Sequence, residues 1–249
     1  MKKILVWDLP SRLLHWAFAG SIAAALLIAS IVDDDSPLFQ LHMLFGIVAV
    51  FVLVLRLIWG LFGSRYSQFR NFPLRPTQVL EYFSGILTGQ HRDYVGNNPG
   101  SALAAVAMFA LVPLIVVTGI GFGGEITEDI HGALAYVLLG VIGVHLLGIA
   151  IHTVLRKENI AASMLHGRQI GPEAAALRSS HPIVATLLLV SGAAWIVALF
   201  AGHNAAAATV KVPVLGTVVQ LGENESGEHG SKKGEHGDHG RKRDDDDDD

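Results

Sequence analysis

No cysteine occurs anywhere in the 249 residues. Its absence excludes disulfides, covalent haem attachment through C-x-x-C-H, and iron–sulfur clusters held by thiolates. Charge is scarce too: Asp, Glu, Lys and Arg make up 16% of the chain, against roughly 25% in soluble proteins. The long apolar runs contain no Asp or Glu at all. A divalent-cation or proton pathway across a membrane generally needs a carboxylate at depth, so that chemistry is disfavoured. The net charge of −4 belongs to the tail. Residues 223–249 carry eleven acids and five bases, and the remainder thirteen bases and eleven acids. No basic surface for nucleic acid emerges.

Against these absences stand 51% hydrophobic residues and a mean hydropathy of +0.45. Apolar runs of about 20 residues recur, the length that crosses a bilayer. Five spans are predicted: about Leu13–Val32, Leu38–Phe62, Ser101–Phe122 with Pro113 as a kink, His131–Leu155, and Ile183–Ala201. A signal peptide is the rival reading of the first, but its apolar run is too long for an h-region and carries His15-Trp16. In the loop after span 2, Val79, Leu80, Tyr82, Phe83, Ile86 and Leu87 fall at helical spacing, which predicts an amphipathic helix on the membrane surface. Basic residues gather in the N-terminus, the 63–100 loop and the 156–178 loop, whereas the 33–35 and 125–129 turns are acidic. The positive-inside rule places the basic segments, and so the N-terminus, in the cytoplasm and the C-terminal tail outside.

Histidine supplies the polar groups inside the spans. His131, His145 and His152 are 14 and 7 residues apart, near whole numbers of turns, so they share one stripe of their helix. His131 and His145 are separated by about 21 Å of helix rise. On the expected topology His42 lies near the outer end of span 2, level with His131. His15 lies near the inner end of span 1, level with His145. Two pairs at two depths suit two b-type haems, each of which takes axial imidazoles from two facing helices. His152 could replace His145 as inner ligand, but it would sit about 31 Å from His131, at the membrane edge. It is left to a quinone carbonyl, to a haem propionate, or to no cofactor.

Three segments carry a resemblance: VWDLPSRLLHW, then LHMLFG with RLIWGLFGSRYSQF after it, and GVHLLGIAIHTVLRKEN. They resemble the bacterial cytochrome b561 family, which is related to the b-type cytochrome subunits of nickel–iron hydrogenases. The resemblance covers about residues 4–170. It implies a four-helix core in the bacterial inner membrane with two b haems, their axial ligands matching His15, His42, His131 and His145. It further implies electron relay between quinone (ubiquinone or menaquinone) and a periplasmic c-type cytochrome or hydrogenase-like subunit. One departure is Gly132, where relatives often carry a carboxylate. The expected fold is an all-α integral membrane protein, a four-helix transmembrane haem-binding bundle plus a fifth C-terminal transmembrane helix. Residues 1–170 would form the core, 171–205 a linker and the fifth helix, and 206–249 an extension with a disordered His/Asp-rich tail.

Other polar and aromatic residues have plainer readings. Trp16 and Trp59 fit an interfacial aromatic belt. Arg56 is expected to snorkel to the inner surface, within reach of the inner haem's propionates. His91, His166 and His181 need no role. His229, His236 and His239 could bind zinc, nickel or copper loosely, and the final Asp run could attract a basic partner. Two alternatives stand beside electron transfer. One is a metal-ion transporter, suggested by the membrane histidines and the His-rich tail. The other is a haem-bearing membrane anchor subunit of a larger oxidoreductase.

Overall fold

A computed structural model of the chain describes residues 2–89, 93–120 and 124–221. The expectations for His91, for His229, His236 and His239, and for the Asp run lie outside these residues. Five helices are long and apolar enough to cross a membrane, which makes this a multi-pass membrane protein. They are α1 (Leu9–Ile31), α2 (Gln40–Phe62), α4 (Pro99–Ile120), α5 (Glu125–Arg156) and α7 (Pro182–Ala201). Between them lie α3 (Pro76–Thr88), the helix expected after span 2, and the short α6 (Ile160–His166).

Two spans begin earlier than their apolar runs. Asp8 caps α1 by accepting the Ser11 N–H at 2.8 Å, and Pro10 sits in the first turn, so the helix starts at Leu9. In α5, Glu125, Glu128 and Asp129 form the opening turns, where negative charge complements the helix dipole. These acids are exposed. At 32 residues, α5 is about 48 Å long, more than the roughly 30 Å of hydrocarbon, so its ends protrude.

The helices pack as two hairpins, α1 on α2 and α4 on α5, joined where α2 meets α4. Leu14, Phe18 and Ile22 of α1 interlock with Leu44, Val48 and Val52 of α2, and Val112 and Leu138 extend the core into the second hairpin. Helix α7 lies against α1 and α2.

Two small sheets were not expected from the sequence. Strand β1 (Lys2–Leu5) pairs antiparallel with β2 (Arg168–Gly171), Lys2 opposite Gly171. Beside this clasp Ile4, Val6, Trp7 and Tyr66 make a second core. Gly167 closes it in the left-handed region at φ +80°, its carbonyl accepting the Val6 and Trp7 N–H groups at 2.8 and 3.0 Å. A Cβ there would meet the Trp7 carbonyl oxygen at 2.7 Å. The Tyr66 hydroxyl donates to the Ala175 carbonyl at 2.7 Å. Burial raises its pKa above the usual phenol value, with the Arg65 guanidinium partly opposing. At the other end of the molecule β3 (His203–Asn204), β4 (Thr209–Lys211) and β5 (Val218–Gln220) form an antiparallel sheet directly after α7.

Candidate functional site

His42 and His131 come from different hairpins and meet, ring centres 5.9 Å apart and planes at 72°. Each ring is oriented by a neighbouring helix. Nδ1 of His42 lies 2.9 Å from the Ala25 carbonyl oxygen on α1, and Nδ1 of His131 lies 2.9 Å from the Ile115 carbonyl oxygen on α4. A carbonyl oxygen can only accept, so each Nδ1 carries the proton and each Nε2 keeps its lone pair. That is the tautomer a metal-ligating histidine needs, with the backbone acting as the outer partner. Phe39 stacks on the far side of His42, ring centres 5.2 Å apart. Gly119 makes room for the second ring: a Cβ there would lie 2.9 Å from Cε1 of His131.

At the opposite end of the helices His15 lies within electrostatic reach of His145 and of Arg56. Both histidines are half-buried. Among the described residues neither makes a hydrogen bond, so this pair lacks the backbone orientation of the first. Of the four histidines that separate by depth in the sequence, His42 and His131 thus meet ring to ring, while His15 and His145 lie within electrostatic reach of each other. His152 lies one turn before the end of α5, seven residues past His145.

Arg56 does not simply reach outward to the surface. Its guanidinium donates twice to the Ser67 carbonyl at 3.2 Å and lies over the rings of Phe69 and Phe109, 5.3 and 5.7 Å from their centres. Trp59 likewise has a partner beyond the interfacial belt. Its indole N–H donates to the fully buried Asp8 carboxylate at 3.2 Å, and its ring meets that of His181 edge-on at 5.5 Å. His181 occupies the N-terminal cap of α7. Asp8, Gly119 and the two carbonyls take roles at the site that sequence reasoning did not assign. Only Asp8 left a signal, as a carboxylate set just before a proline-bearing helix start.

The donor set narrows the chemistry. The outer pair presents two imidazole rings from different helices with centres 5.9 Å apart. Among the described residues no three His, Cys, Asp or Glu gather to hold a bare ion. Two imidazoles alone suit a metal that brings its own equatorial ligands, as a haem does. The sequence model of prokaryotic cytochrome b561 matches residues 6–167. The chain belongs to the prokaryotic cytochrome b561 family. Membership in cytochrome b561 carries an electron-transfer, quinone-linked role and haem b as cofactor. The matched segment holds all four paired histidines and ends at Gly167, where the N-terminal strand closes on α6. Helix α7 and the sheet after it lie outside the cytochrome b561 match. No curated protein and no solved structure matches the chain.

Proposed function

We propose that this cytochrome b561 carries electrons across the bilayer through two b haems, between the quinone pool and a redox partner on the outer side. His42 and His131 would hold the outer haem, and His15 and His145 the inner one. The outer pair carries the reading: two rings 5.9 Å apart, each with Nδ1 on a backbone carbonyl and Nε2 left to bind. Haem b in such a site supplies one-electron chemistry, its iron passing between ferric and ferrous forms. The protein's part is to hold both ring positions, exclude water with the apolar core, and set the local charge.

Arg56, near His15, places a permanent cation beside the inner site, where haem propionates would receive it. His152 is proposed as a hydrogen-bonding group for a quinone, ubiquinone or menaquinone, at the inner edge. The N-terminus and basic loops are cytoplasmic and the tail periplasmic, which puts a c-type cytochrome or hydrogenase-like subunit within reach of the outer haem.

Haem content tests this reading. Dithionite-reduced protein should show b-type bands, and the pyridine haemochrome assay close to two haems per chain. His42→Ala, His131→Ala and His145→Ala should each bring the count to about one, while His152→Ala keeps both. Full haem in His145→Ala would transfer the ligand role to His152. A folded, colourless protein would end the proposal.

A further inference from the structure

The first turns of α1 and α7 run side by side from the same end of the molecule, tied where the Leu9 N–H donates to the Ser180 carbonyl at 2.9 Å. Between them, closed below by α6, is an open groove of about 430 Å³, within the range of roughly 300–1,000 Å³ typical of ligand sites. Its walls are two matching stripes, i, i+3, i+4 and i+7, one on α1 from Leu9 to Trp16 and one on α7 from Pro182 to Leu189. Seven residues of rise make it about 10 Å deep along the helix axes. That reaches from the headgroup level into the upper hydrocarbon.

The lining is mostly apolar. Arg12 is its one charged residue. Nε of Arg12 donates to the Met164 carbonyl at 3.4 Å. Among the described residues the one ion pair joins Lys2 to Glu173, so no carboxylate is in direct contact with Arg12. The Trp16 N–H is taken by the same Met164 carbonyl, at 3.0 Å, which leaves its ring as an apolar wall. A guanidinium is charged at every accessible pH. Its best complement at a membrane edge is an anion attached to an apolar chain.

We propose that this groove binds one anionic phospholipid, its phosphate on Arg12 and an acyl chain along the α1–α7 seam. A quinone is a poorer occupant, because its neutral carbonyls leave the Arg12 charge unbalanced. The site exists only because α7 packs on α1, and α7 lies outside the cytochrome b561 match. The fifth span thereby gains a role: it completes a lipid site against α1. The proposal rests on the membrane-spanning fold and not on the haem assignment.

The test is native mass spectrometry of detergent-purified, delipidated full-length protein titrated with dioleoyl phosphatidylglycerol or dioleoyl phosphatidylcholine. One phosphatidylglycerol per chain should survive activation that strips phosphatidylcholine. Arg12→Gln should weaken its retention about tenfold, the scale of one lost charge-assisted hydrogen bond, and Arg12→Lys should largely restore it. Ala185→Trp, which fills the groove and leaves Arg12 in place, should abolish the adduct. An unchanged thermal unfolding midpoint in Arg12→Gln and Ala185→Trp would certify the fold. Equal retention of the two lipids, undiminished binding in Ala185→Trp, or an adduct of quinone mass alone would each overturn the proposal.

Discussion

At the scale of single residues, the two outer histidines are distinguished by what their unused nitrogens do. Ala25 and Ile115 present carbonyls at 2.9 Å and so fix both tautomers. The histidines themselves are legible in the sequence, because depth needs only the rise per residue and the sign of the loop charges. Their partners are not. Which carbonyl faces a ring depends on how α1 crosses α2 and α4 crosses α5, and no local pattern records a crossing. Gly119 is the clearest case, an ordinary membrane glycine in the sequence and a point of near-contact with His131 in the fold. Gly119→Val should push that ring from its place and lower outer-haem occupancy by half or more. The check is haem stoichiometry together with the spectrum of the haem that remains.

At the scale of elements, the five long helices follow from apolar run length, and the amphipathic α3 from its spacing. Their starts required more. Asp8 carries α1 four residues ahead of its apolar run and links it to α2 through Trp59. Asp8→Ala removes the cap and leaves the half-buried Trp59 indole N–H without its acceptor. The expected cost is about 2–3 kcal/mol, read as a lower unfolding midpoint in detergent. Asp8→Asn should recover much of it, since asparagine caps nearly as well. The strands escaped notice for a different reason. β1 to β5 are two to four residues long, too short for alternation to declare itself, and β1 finds its partner more than 160 residues away.

At the scale of the molecule, two hairpins meet along one seam, and each histidine pair has one member on either side of it. On the proposed topology the alternating loop charges would orient this assembly, with the sheet of β1 and β2 at one end of the bundle and the second sheet at the other. A chain without cysteine allows a clean check. In spheroplasts a membrane-impermeant maleimide should label Asp35→Cys directly and Ser179→Cys only after lysis; the reverse pattern would invert the topology. The strand clasp also bears on biosynthesis. Lys2 is translated early, yet its partner Gly171 is not made until four of the five spans have been translated. The N-terminal strand must therefore wait unpaired at the membrane face while the bundle gathers. Closing it is a late event, and bulky fusions to the N-terminus should hinder assembly at its last stage rather than its first.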